Sequence, residues 1–152
     1  MEKHNLILDK TFQFSLMIIE LCNVLDERKK FAISNQLLRS ATSIGANVRE
    51  AQNAESQPDF IHKLKIAAKE AEETMYWLDL CLYSPSYPNT EKEKEELNSI
   101  IKIINKIIGT LKSRMKQKQW DKNNETIGQW DNWQIGKLAN WLIGKLANWQ
   151  IN

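Results

Sequence analysis

Apolar residues recur at helical spacing through most of this chain and divide it into four amphipathic segments with recognisable ends. In the first, residues 9–28, Phe12, Leu16, Ile19 and Cys22 share one face at about 100° per residue, and Met17, Leu21, Val24 and Leu25 widen it. A charged turn at 26–30 follows. The second, residues 32–55, aligns Ile33, Leu37, Ala41, Ile44, Val48 and Ala51; at about 1.5 Å per residue it spans on the order of 35 Å. Gly45 lies in its middle at a cost of roughly 1 kcal/mol against Ala, which marks either close approach by another helix or a tolerated loss.

Ser56, Pro58 and Asp59 form a helix start: Ser56 caps, Pro58 fits the first turn where no N–H partner is needed, and Asp59 closes a capping box. The third helix then carries Phe60, Leu64, Ala67, Ala71, Met75, Leu78 and Leu82 as its core face, and the Pro85 and Pro88 region ends it. Thr90 and Glu93 make a second capping box before a fourth helix faced by Leu97, Ile100, Ile104, Ile107, Ile108, Leu111 and Met115. Short turns between helices of about 20 residues predict an all-α fold, an antiparallel up-down-up-down four-helix bundle over residues 1–118. Residues 119–152 are expected to be an irregular, disordered, low-complexity tail.

The second helix carries another line of residues about a quarter turn from its apolar face: Gln36, Ser40, Ser43, Asn47 and Glu50, with Arg39 beside it. Small hydroxyls, an amide and an Arg suit a seam that must be hydrogen-bonded as it closes better than a free surface, which favours Lys and Glu. On the third helix Glu70 and Glu73 sit between Ile66 and Trp77 and call for a cation, which Arg39, or less readily Arg49, can supply. The structural reading is a polar seam that fixes register between helices or subunits. A catalytic acid–base pair would need a cleft that the sequence does not show.

Charge separates the two ends of the chain. Residues 1–115 hold 16 basic and 16 acidic side chains, so the body is neutral. Within residues 102–122, however, Lys102, Lys106, Lys112, Arg114, Lys116, Lys118 and Lys122 face only Asp121. One reading is a solvated outer face, with cations favoured near the helix C-terminus by the backbone dipole. The sharper reading is a phosphate-binding stripe of Lys102, Lys106, Lys112, Arg114, Lys116 and Lys118, a candidate contact to RNA or DNA.

Other chemistries find little support. With only His4 and His62, the chain lacks the paired Glu-x-x-His motifs of a di-iron bundle, and Asp59 of the single Asp-x-x-His has a capping role. Neither a phosphate-cradling Gly loop nor a nucleophile–base spacing occurs. The expectation is therefore no enzyme, no catalytic residue, no metal and no cofactor. Cys22 and Cys81 lie in apolar helical segments and are expected to stay reduced. With no signal-peptide pattern and no apolar run of spanning length, a cytoplasmic protein without a membrane partner is expected.

From Trp130 the composition changes, and five of the six tryptophans fall at or beyond Trp120. Residues 133–140 are echoed by 141–148 and again from Trp149, a period of eight residues. Eight residues overshoot whole helical turns by about 80°, so no stripe persists. The codons ATT GGC AAA TTG GCA AAT TGG CAA spell Ile-Gly-Lys-Leu-Ala-Asn-Trp-Gln, and that string is one eight-nucleotide unit written three times. The segment from Trp133 to the end thus reads as a nucleotide repeat translated in all frames, not as a selected binding array.

Gln36, Arg39, Ser40, Ser43, Ile44, Asn47 and Glu50, followed by Phe60, Ile66, Ala67, Glu70, Glu73 and Leu78, resemble the bacterial four-helix-bundle family that includes proteins encoded in 23S ribosomal RNA intervening sequences. That family is similar to the accessory variability determinant of diversity-generating retroelements. The resemblance covers roughly residues 6–115. It implies a homopentameric ring of four-helix bundles without catalytic residues; the retroelement relative binds nucleic acid and a reverse transcriptase through a basic surface. This chain departs in its neutral body and its repeat tail. The functional expectation is a non-enzymatic, self-associating scaffold bound to RNA or DNA, with a reverse transcriptase or other protein as a further partner. The alternative is a protein-interaction adaptor with no nucleic-acid role.

Overall fold

The computed structural model describes the backbone of residues 5–149 and the side chains of residues 5–125 and 134–137. Four helices follow one another: α1 (Leu6–Glu27), α2 (Phe31–Ala51), α3 (Gln57–Tyr83) and α4 (Glu91–Trp149). The chain divides into two compact units, Met1–Leu111 and Lys112–Asn152.

The first unit is an antiparallel four-helix bundle whose centre is closed by Phe14, Ile18 and Leu25 of α1, Leu37, Ile44 and Val48 of α2, Leu64 and Leu78 of α3, and Leu97, Ile100 and Ile104 of α4. Each such side chain contributes roughly 1.5–3 kcal/mol by leaving water, which the conformational entropy of the ordered chain largely offsets. Polar ties join neighbouring helices. Lys10 Nζ donates to Glu96 Oε1 at 2.7 Å between α1 and α4, and Lys94 Nζ reaches Asp79 Oδ1 at 2.5 Å between α4 and α3.

The turns explain where the helices stop. After α1, Lys30 N donates to Leu25 O (2.8 Å) and Lys29 N to Asp26 O (2.9 Å), with Lys29 at φ 58°. This is the six-to-one and five-to-two closure of a Schellman cap, with Lys at the left-handed position that usually belongs to Gly. Lys30 then reaches Ser86 Oγ (3.1 Å) and lies 4.7 Å from the Tyr87 ring centroid, tying this turn to the α3–α4 connection. At α3, Ser56 Oγ accepts from Asp59 N (3.2 Å) and Asp59 Oδ2 accepts from Glu55 N (3.3 Å), so the predicted capping box forms with its return bond one residue earlier than Ser56. Thr90 does not cap α4. It is buried, and its hydroxyl donates to Leu78 O of α3 (2.8 Å), while Asn89 Oδ1 accepts from Glu91 N (2.9 Å).

Besides Thr90, two further sequence expectations need correction. The predicted core line of α1 is largely its outer surface: Phe12 is 52% exposed, and Leu16 and Ile19 are each 41% exposed. The inward line is Ile7, Thr11, Phe14, Ile18, Leu21 and Leu25, with Cys22 beside it. Thr11 concealed this line because it reads as polar; in the helix its hydroxyl is satisfied by Ile7 O at 2.8 Å and the residue is buried. The second correction concerns α4, which runs to Trp149 where the periodicity ends a helix near residue 118. Loss of an apolar stripe removes a packing face, not helix propensity. Residues 89–152 contain no Pro, and each eight-residue repeat holds a single Gly together with the helix formers Lys, Leu and Ala. The repeat is described in backbone as far as Trp149 and in side chains only at 134–137; the remainder lies outside the described residues.

Candidate functional site

The α2–α3 seam begins with a buried hydroxyl pair. Ser40 Oγ and Thr74 Oγ1 lie 2.9 Å apart, and each is also close to the carbonyl one turn earlier on its own helix, Gln36 O at 3.0 Å and Glu70 O at 2.7 Å. Two hydroxyl protons serve three contacts, so one hydroxyl donates across the interface while the other donates to its own helix. Both side chains are fully buried, which makes this crossing more consequential than the charged contact beside it.

That charged contact joins Arg39 Nη2 to Glu73 Oε1 at 2.7 Å. Glu73 Oε1 also accepts from Trp77 Nε1 at 3.4 Å, and Arg39 lies 3.4 Å from Gln36 Oε1. The Arg39 side chain is 65% exposed, so water screens the pair and its net contribution is about 0–1 kcal/mol. Further along, Lys63 Nζ donates to Glu50 Oε2 at 2.7 Å, and this hydrogen bond raises the Lys63 ammonium above its ordinary pKa.

Other predicted seam residues stay on their own helix. Ser43 Oγ donates to Arg39 O and Asn47 Nδ2 to Ser43 O, each at 2.8 Å. Glu70 Oε2 is buried with no hydrogen-bond partner. Arg49, the alternative cation, instead lines a groove between α1 and α2 with Leu8, Phe12, Ser15, Thr42 and Ala46. Gly45 sits in that groove, where an added Cβ would lie 3.6 Å from Thr11 and Ser15, ordinary van der Waals distance.

The candidate nucleic-acid residues are all exposed. Lys102 and Lys106 lie in the first unit; Lys112, Arg114, Lys116 and Lys118 lie in the second. In that second unit Met115, Lys116, Gln119, Trp120 and Asn123 line a shallow concavity, with Trp120 62% exposed. The acid in this stretch, Asp121, accepts from Gln117 Nε2 at 2.9 Å.

The model of the 23S rRNA-intervening sequence protein family matches residues 3–110. This chain belongs to that family. A crystal structure of a protein of unknown function from the S23 ribosomal protein family of Bacteroides thetaiotaomicron VPI-5482 is 43% identical, covers 67% of this chain and 97% of that one, and superposes with a TM-score of 0.64. No curated protein matches the chain. The family match contains the bundle, the seam, Lys102 and Lys106, and ends before Lys112, Arg114, Lys116 and Lys118.

Thr74 and Lys63 are seam partners that sequence reasoning missed. Thr74 is offset from Glu70 and Glu73 by helical spacing, and a β-branched hydroxyl between two apolar turns was the available signal. Cys22 and Ser34 form a second missed pair across α1 and α2, with Cys22 Sγ 3.4 Å from Ser34 O and Ser34 Oγ 3.4 Å from Cys22 O. Burial raises the Cys22 thiol and pushes the Cys81 thiol up to about 11, so both are unreactive at neutral pH.

Proposed function

We propose that this family member is a non-enzymatic, self-associating cytoplasmic scaffold that binds nucleic acid, RNA or DNA, through the exposed basic side chains of α4. The observation that carries this reading is a local excess of cations left exposed: Lys102, Lys106, Lys112, Arg114, Lys116 and Lys118 all face solvent, and Asp121 is the sole acid within residues 102–122. Phosphate oxygens are the chemistry that such a surface recognises, and copies in an oligomer would add weak contacts together. Self-association is supported by Phe12, Leu16 and Ile19 on α1 and Leu38 on α2, large apolar side chains exposed along the first two helices. A second copy of the chain is the occupant proposed for this face, and the family resemblance implies a pentamer.

The same apolar face also favours a second reading, an adaptor for another protein, a reverse transcriptase among the possible partners, without nucleic-acid contact. Charge reversal separates the two. In gel-shift titrations with a structured RNA, Lys102→Glu, Lys106→Glu and Lys116→Glu combined should abolish binding while oligomer mass is unchanged. Equal binding by the wild-type and triple-variant proteins would reject the phosphate-binding surface.

A further inference from the structure

The second unit adds an aromatic side chain to the cations. Along α4, Lys112, Lys116 and Trp120 follow one another at four-residue spacing, an advance of about 6 Å per step, with Gln119 and Asn123 beside the ring. Trp120 is the large apolar side chain left most open on this stretch, at 62% exposure, and it forms one wall of the concavity that Lys116, Gln119 and Asn123 complete. We infer that Lys112, Lys116 and Trp120 form a binding site for unpaired, single-stranded nucleic acid, in which Trp120 stacks on a base while the two lysines hold successive phosphates. The inference rests on the nucleic-acid reading above and narrows its ligand.

The chemistry favours a single strand over a duplex. An exposed indole face can stack only on a base that has left its own stack, and every base offers such a face, so recognition is strong without being sequence-specific. Gln119 and Asn123, which line the same concavity, each carry an amide donor and acceptor suited to the edges of an unpaired base. A lipid surface fits less well. Between Lys112 and Glu125 only Met115 and Trp120 are apolar, too narrow a face to bury in a bilayer interface. The residues lie outside the 3–110 family match.

The test compares a short oligouridylate with a hairpin duplex of equal length, using fluorescence anisotropy on the full chain. The wild-type protein should prefer the oligouridylate; Trp120→Ala should weaken that binding roughly 5- to 100-fold, and Trp120→Phe should restore most of it. Circular dichroism should be unchanged in both variants, since the side chain is exposed. Unaltered oligouridylate affinity in Trp120→Ala, with salt-dependent binding intact, overturns the stacking site and leaves the phosphate-binding surface standing. Absence of salt-dependent binding to either RNA overturns both. A blue shift of tryptophan emission on phosphatidylglycerol vesicles that Trp120→Ala removes, without RNA binding, reassigns the site to membranes.

Discussion

Two backbone positions show how single residues set the stability of the bundle. Lys29 closes α1 from the left-handed region, where an L side chain costs roughly 1–2 kcal/mol, and Gly at this position removes the clash. Gly45 sits within a continuous helix, and a methyl there would meet Thr11 and Ser15 at 3.6 Å without overlap. Lys29→Gly and Gly45→Ala should therefore each stabilise the protein by about 0.5–1 kcal/mol in thermal denaturation, although one adds a glycine and the other removes it. A loss of stability in Lys29→Gly would show that this turn is not held in the left-handed conformation. At Ser40 and Thr74 the hydroxyl crossing links two helices across a buried interface, so deleting one partner strands the other.

Among the described residues, α1 carries the largest set of exposed large apolar side chains, Leu6, Phe12, Leu16, Ile19 and Val24. Its inward line and its outer line, Phe12, Leu16 and Ile19, lie on different faces of the same helix, and this is why periodicity alone selected the wrong one. On α2, α3 and the first turns of α4 the apolar line coincides with the buried one, and Leu37, Ile44, Leu64, Leu78, Leu97 and Ile104 were all legible as core. The seam was legible in part: polar residues beside an apolar stripe marked the α2–α3 contact, but partners such as Thr74 and Lys63 depend on helix rotation and offset, which a single sequence does not encode locally. Leu16→Lys combined with Ile19→Lys should lower the solution mass measured by light scattering towards that of one chain while far-ultraviolet circular dichroism stays helical. An unchanged mass would reject this face as the proposed self-association surface.

At the scale of the whole molecule, the bundle, which the family model matches, continues into a cationic stretch beyond that match. Residues 1–111 hold 14 basic against 16 acidic side chains, so long-range attraction for polyanions would come from the local excess on α4 and not from net charge spread over the bundle. Residues 112–122 alone contribute five cations against Asp121. Sequence therefore identified the bundle through its pattern and the basic surface through its composition, whereas the ligand depends on what the exposed side chains can reach. The decisive measurement is the affinity of the intact protein for a structured RNA as a function of salt. Each phosphate engaged should contribute a slope of about −0.7 to −0.9 in log K against log salt, so a surface of several lysines predicts a slope steeper than about −2. A flat salt dependence, or no binding at low salt, would contradict the assignment of α4 as a nucleic-acid interface.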